Sequence, residues 1–442
     1  MSNVPMTRPD LLISTQQHPY GHTSSYLELE DGCVYHSAWC ISTISQDGGE
    51  TWSDEYRLND AGGEQINSTA NVSLNCSNGI GLVGEKRMDP SQGNFRPGKR
   101  TPRYPVFYRS EDGGKTWSEP IPMVAPHSLF GFNMLMDVAI RTSSGRIVVP
   151  FYVSMGKSGT GPDDNPLPIA GKLVHNQFVH TTGHFFDPSF AGAIVCYSDD
   201  DGRTWQTNSD GMLFILNDWN ANFASVNEPT VTEVTPGRLL MFFRTGLGRL
   251  FQSWSTDDGE SWTRPRPTCL AACTTPAQLR TLPNGHLLCV WNQTSEQEVQ
   301  LGLNRTRLSS AISRDGGRVW EFYQNIESLH ESTRVPPGPI QPVRPQQTYF
   351  LDAQPRDAWP AEHIQDFDQW GRWSYPMVGV VKDRVLVSYK YLAPLRPHET
   401  EATLIQEGGQ RLKVLPINWF YGGKQPADNP SLKAAYEPVA KP

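Results

Sequence analysis

The chain has 442 residues, of which 38 are Gly, 36 Pro and 13 Trp, and only 19% are charged. This mixture is too aromatic and too weakly charged for a disordered chain, and Gly and Pro at this density argue against a helical bundle. A formal net charge of −8 makes nucleic acid an unlikely main partner, and no apolar run is long enough to span a bilayer. The expectation is an all-β protein of short strands joined by many turns.

The N-terminal stretch MSNVPMTRPDLLISTQQ has no basic segment followed by an apolar core. A cytoplasmic protein, or an exported one whose leader has been removed, is expected. Within this stretch DLLIST reads as a strand. Next, YLELEDGCVYHSAW is an apolar run, a turn and a second apolar run, which is the signature of a hairpin. The same grammar recurs in NVSLNCSNGIGLVGEK, DVAIRTSSGRIVVPFY, PTVTEVTPGRLLMFFR, AQLRTLPNGHLLCVWN and SYPMVGVVKDRVLVSYKYL.

After each of the first five hairpins comes one octapeptide: SQDGGETW from Ser45, SEDGGKTW from Ser110, SDDDGRTW from Ser198, STDDGESW from Ser255 and SRDGGRVW from Ser313. Each reads as a tight turn between strands. Its Asp (Asp47, Asp112, Asp200, Asp257 or Asp315) accepts backbone N–H bonds, a Gly takes positive φ, and the Trp anchors the turn on its own sheet. The sixth hairpin is followed by LKVLPINWF and no octapeptide. Six such units predict six four-stranded blades around an axis, roughly 18–60, 61–125, 126–215, 216–268, 269–330 and 370–420, in one domain spanning 1–442. DLLIST is expected to close the ring against the last blade.

Two insertions join the second and third strands of their blades, MDPSQGNFRPGKRTPRYP in blade two and SMGKSGTGPDDNPLPIAGKLVHNQFVHTTGHFFDPSF in blade three. Loops of this length tend to line a site or an interface. The seven Cys are odd in number and scattered, which reads as reduced core thiols. Cys269 and Cys273 lack a second ligand pair at zinc spacing, so no metal and no cofactor are expected, a structural Ca²⁺ in a loop remaining open.

The octapeptides resemble Asp boxes, and from about Asp10 to Phe420 the chain resembles the sialidase superfamily of six-bladed propellers. The resemblance implies roles for particular residues. In NEPTVTEVTPGRLLMFFR, Glu228 stands where sialidases carry the Glu that assists the nucleophile, and Arg244 where they carry an Arg that binds the substrate carboxylate. A hairpin brings the start of one strand beside the end of the next, so both side chains reach one rim. The alternative reading is a strand-end acid and its surface ion-pair partner. In NRTRLSSAISRDGG, Arg305 fits a second carboxylate-binding Arg, with Arg307 as the runner-up that simply faces solvent. In WSYPMV, Tyr375 fits the nucleophile. A neutral phenol suits an anomeric carbon that bears a carboxylate, because it avoids like-charge repulsion.

Blade one departs from the family. His22, in YGHTSSYLELEDG, stands near the place of a third clamp Arg, and SAWCISTISQDGG passes almost directly between strands with no loop for the acid/base Asp. Asp47 belongs to a box on the wrong rim. The candidates for proton donor are therefore His22 and Asp137, with His180 and His184 in the blade-three insertion behind them. Arg96, Arg100 and Arg103 are candidates to replace the missing Arg. The implied function is exo-cleavage of a terminal acidic, ulosonic-acid-like sugar by a sialidase-type glycoside hydrolase. The partner is thus an acidic sugar or glycan, with neither nucleic acid nor membrane. Two rivals stand beside it: a uronic-acid lyase on the same scaffold, and a non-catalytic propeller that binds acidic glycans.

Overall fold

The turns that punctuate the sequence fold as hairpins, and each hairpin is extended by further strands into an antiparallel sheet. The computed structural model describes residues 6–18, 23–66, 72–89, 103–125, 130–133, 138–155, 171–174, 177–180, 191–216, 223–224, 226–300, 303–341, 371–392 and 409–424. The first strand, β1 (Ser14–Gln17), precedes blade one, which is built of β2 (Ser25–Glu28), β3 (Val34–Ala38), β4 (Ile41–Ser45) and β5 (Tyr56–Arg57). Blade two is β6 (Val72–Cys76), β7 (Gly79–Arg87), β8 (Arg103–Ser110) and β9 (Ile121–Pro122). In blade three β10 (Phe130–Asn133) and β11 (Ile140–Arg141) share the inner edge of β12 (Ile147–Met155). A side hairpin of β13 (Gly171–Val174) and β14 (Gln177–His180) follows, then β15 (Ala191–Ser198) and β16 (Gln206–Thr207).

A short hairpin of β17 (Ile215–Leu216) and β18 (Phe223–Ala224) leads to blade four, which comprises β19 (Asn227–Thr235), β20 (Arg238–Arg244), β21 (Arg249–Ser255) and β22 (Arg266–Ala271). Blade five is β23 (Ala277–Thr281), β24 (Leu287–Trp291), β25 (Arg307–Ser313) and β26 (Glu321–Ser328). Blade six is β27 (Arg372–Val381), β28 (Arg384–Leu392) and β29 (Gln410–Pro416), completed by β1. The first strands neighbour one another around the axis, with β2 beside β6 and β27, and β23 beside β19 and β27. The fold is a six-bladed β-propeller. The closing strand lies slightly later than DLLIST: Ser14 pairs with Val414 and Gln17 with Arg411, while Pro9–Leu11 forms a 3₁₀ turn.

The octapeptides form the expected turns. Asp47 Oδ1 accepts from Ser45 Oγ at 2.8 Å and from the N–H groups of Glu50 and Thr51, both at 2.9 Å. Asp112 repeats this pattern in blade two with Ser110, Lys115 and Thr116. The Trp residues do more than anchor their own sheets. Trp205 meets Phe107 of the preceding blade at 5.1 Å between ring centroids, and Trp320 meets Phe242 of its preceding blade at 5.7 Å. The last Gly of each box also faces the blade before it. A Cβ on Gly49 would meet Leu386, on Gly114 Tyr35, on Gly202 Phe107 and on Gly317 Leu240, each at under 3.0 Å. Gly is required there because a neighbouring blade occupies the space of a side chain. Blade six has no box, and the turn Ile417–Tyr421 takes that place: the buried Tyr421 hydroxyl lies 2.8 Å from His286 Nδ1 of blade five.

Strand direction fixes which rim carries what. The hairpin turns between first and second strands, and the Asp boxes, lie at one end of the axis. The first strands begin, the second strands end and the third strands start at the other. Both insertions run from the end of a second strand (β7 or β12) to the start of a third (β8 or β15), so they leave from the same rim as the starts of β19 and β27.

Candidate active site

Glu228 and Arg244 lie where the β19–β20 hairpin opens onto this rim. Asn227 pairs with Arg244, and a bulge between Asn227 and Thr230 re-aims Glu228, which has φ 39°. Arg244 Nη1 donates to Glu228 Oε2 at 2.5 Å, with side-chain exposures of 2% and 0%. The pair is thus buried, not the surface ion pair of the alternative reading. A buried pair is expensive to desolvate and persists only when well bonded. Burial works against the charge on Arg244, but the Glu228 carboxylate and the Tyr375 hydroxyl outweigh it and raise its pKa.

Tyr375 comes from blade six, two blades further around the axis. It sits at a second bulge, between Ser374 and Met377 in β27, with φ 55°. Its hydroxyl lies 3.1 Å from Arg244 Nη1 and 3.4 Å from Glu228 Oε1. Arg305, at the entrance to β25, has φ 67°, and its guanidinium stands 5.3 Å from the centre of the Tyr375 ring. Three of these four side chains therefore hang from left-handed backbone, a conformation costing about 1–3 kcal/mol per non-Gly residue and concentrated at functional sites. The four residues, drawn from blades four, five and six, converge on one rim.

Other candidates fall elsewhere. Arg307 is buried, with Nη2 2.8 Å from Glu298 Oε1 and Nη1 3.0 Å from Glu298 Oε2. It is a structural tie to the short helix α1 (Glu296–Gln300) and does not face solvent. Arg103 donates to the buried Glu85 at 3.0 Å. His22, Asp137, His184, Arg96 and Arg100 lie outside the described residues, and of His180 only the backbone, in β14, is described. The blade-one connection is as short as the sequence suggests: Trp39 and Cys40 alone separate β3 from β4, and they offer no carboxylate.

Sequence reading missed several groups. Tyr152, in β12, has its pKa raised by burial and then by the nearby charges of Glu228, Tyr375 and Glu85. Arg372 and Lys390 stand close to Arg305 on blade six, where both have their pKa lowered by burial and then by the Arg305 charge. No motif marked them, because strand pairing alone brings Lys390 opposite Ser374. At the opposite end of the inner strands an axial cavity of about 430 Å³ is lined by Glu28, Asn75, Glu233, Arg280 and Thr281 among others, and includes none of the four converging residues.

The model of the BNR repeat-like domain family matches residues 87–387. The chain belongs to that family. Solved structures agree on the fold. This BNR-repeat propeller superposes on the NanB sialidase of Streptococcus pneumoniae with a TM-score of 0.52 at 13% identity, over 94% of this chain and 72% of that one. The intramolecular trans-sialidase of Ruminococcus gnavus gives 0.50 at 13% identity, over 96% and 99%. A Dyadobacter fermentans protein of unknown function gives 0.52 at 16%, over 92% and 98%. At these identities the likeness is one of fold alone.

Proposed function

We propose that this BNR-repeat propeller is a glycoside hydrolase of sialidase type that removes a terminal acidic sugar. The reading is carried by one observation: the Tyr375 hydroxyl lies 3.4 Å from Glu228 Oε1 and 3.1 Å from Arg244 Nη1, on backbone held in the left-handed region. Glu228 has one oxygen committed to Arg244 and turns the other to the phenol, which suits a base. The Tyr375 oxygen attacks the anomeric carbon, its proton passes to Glu228 Oε1, and the bond to the leaving oxygen breaks as that oxygen is protonated. Water then attacks the anomeric carbon, giving a proton to the group that protonated the leaving oxygen, while Glu228 returns its proton to the departing Tyr375 oxygen and restores the phenol. Arg305 and Arg244 hold the sugar carboxylate, and an Arg stays charged when desolvated. His22 and Asp137 are the proposed proton donors.

The test is a glycan-release screen with mass detection, comparing the parent protein with Tyr375→Phe. Release of an acidic monosaccharide by the parent and its loss in the variant is the expected result. An unsaturated, ultraviolet-absorbing product would replace hydrolysis by elimination. Binding of acidic glycans without release by either protein would make the propeller a lectin.

A further inference from the structure

Beside the proposed nucleophile stands a group of cations of which the proposed reaction uses only Arg305. Lys390 is the cross-strand partner of Ser374, so both side chains leave the same face of the β27–β28 hairpin, and Arg372 precedes Ser374 by two residues on that face. Arg305 reaches the same hydroxyl from blade five, with Nη1 3.4 Å from Ser374 Oγ. The backbone holding it is pinned to blade six, since Trp373 N donates to the Arg305 carbonyl at 2.8 Å and Arg372 Nε to the Asn304 carbonyl at 3.1 Å. These bonds fix Arg305 in its left-handed conformation, φ 67°, close to two like charges.

All three cations are partly buried. Among the described residues neither Arg305 nor Lys390 has a carboxylate at ion-pair distance. Like charges gathered in a partly desolvated place repel, and the repulsion is relieved when an anion enters. The lowered pKa of Lys390, from burial and then from Arg305 and Arg372, agrees with such a shortage of negative charge. The Tyr375–Glu228–Arg244 set has its own balance, because Arg244 already faces Glu228.

We infer that Arg305, Lys390, Arg372 and the Ser374 hydroxyl form a second anion subsite, which takes a sulfate or phosphate ester of a substrate carrying more than one negative group. Arg305 lies between this subsite and the Tyr375 ring, and it serves both. The ester assignment rests on the proposed reading of the site as one for an acidic sugar, whereas the binding of the oxyanion does not.

The experiment titrates the whole protein separately with inorganic sulfate and inorganic phosphate, at constant ionic strength in chloride, by calorimetry. Lys390→Gln is expected to weaken the tighter of the two at least fivefold. Tyr375→Phe, which keeps the ring that Arg305 faces, is expected to bind it within twofold of the parent. Absence of sugar release by the parent protein together with intact, Lys390-dependent oxyanion binding leaves the subsite standing and removes the hydrolase reading. Absence of binding, or binding untouched by Lys390→Gln, overturns the subsite. Where Lys390→Gln fails to fold, the parent protein is ¹³C-methylated on its lysines and followed by NMR, the Lys390 signal being assigned with Lys390→Arg. The tighter anion is then expected to raise the Lys390 titration midpoint, and an unmoved midpoint overturns the inference.

Discussion

The Tyr375 hydroxyl and Glu228 Oε1 stand 3.4 Å apart although 147 positions separate them in the chain. Each sits on a bulge at the start of its blade's inner strand, and each has positive φ. The two bulges rotate the side chains off the flat faces of their strands and toward each other. Tyr375→Phe removes only the oxygen and is expected to lower sugar release by about a thousandfold or more, with stability within about 1 kcal/mol of the parent. Release kinetics and a denaturant titration on the same sample check both halves.

Arg244 and Glu228 hold each other in a buried place, so removing one strands the other. Arg244→Met is expected to cost about 3–5 kcal/mol, because it leaves an unpaired carboxylate in the interior. The double variant Arg244→Met/Glu228→Leu is expected to be more stable than Arg244→Met alone. Urea unfolding of the two variants decides it, and a double variant that is the less stable refutes the pairing argument.

Acid sensitivity follows from blade one. His18 and His36 lie 4.7 Å apart between ring centroids, in a buried cluster with Tyr26 and Trp52. Burial lowers the His18 pKa to about 4, and burial followed by the neighbouring His18 lowers that of His36 well below 6.5. In the unfolded chain both take up a proton near 6.5, so the unfolded state binds more protons below that pH. Stability is therefore level above about pH 6.5 and falls as pH drops from there toward 4. His18→Phe is expected to flatten this slope in stability measured against pH.

A second acid phase belongs to the boxes. Burial opposes ionisation of Asp47 and Asp112, but the hydroxyl and N–H donors around them prevail and lower each pKa to about 2. Their contribution is complete above the unfolded carboxylate range near 4 and is lost as pH falls from there to about 2. Asp112→Asn is expected to reduce this phase and leave the histidine phase in place.

The box glycines separate two costs. Gly113→Ala meets nothing within 4 Å at φ 74°, so it is expected to lose about 1 kcal/mol from backbone strain alone. Gly202→Ala, at φ 84°, drives a Cβ into the Phe107 ring at 2.1 Å and is expected to lose at least about 2 kcal/mol more. Equal losses in chemical denaturation would mean that the blade-to-blade contact contributes nothing.

The fold was legible because repetition multiplies a weak signal. One Asp-Gly turn says little, but five boxes at the ends of five hairpins leave few architectures. Glu228, Arg244, Arg305 and Tyr375 were legible through the motifs around them, and strand pairing explains why such distant residues share a rim. Lys390 and Arg372 were not, since nothing local distinguishes them from solvated strand charges. Their surroundings arise from register across β27 and β28 and from a backbone tie to Asn304 in another blade. The packing direction of Trp205 and Trp320 was hidden for the same reason: a sequence shows that a Trp follows a turn, not which sheet lies beneath it.

The sheet that carries Tyr375 is also the clasp of the ring. Its outermost strand, β1, is held by four residue pairs, from Ser14 with Val414 to Gln17 with Arg411, and these join segments about 400 positions apart. Tension that draws these two segments apart therefore loads the blade of Tyr375 before any other, and a protease that removes residues 14–17 bares the edge of that same sheet. Fastening and the proposed chemistry share one element, so the propeller cannot come undone at its seam without disturbing Tyr375, the proposed nucleophile.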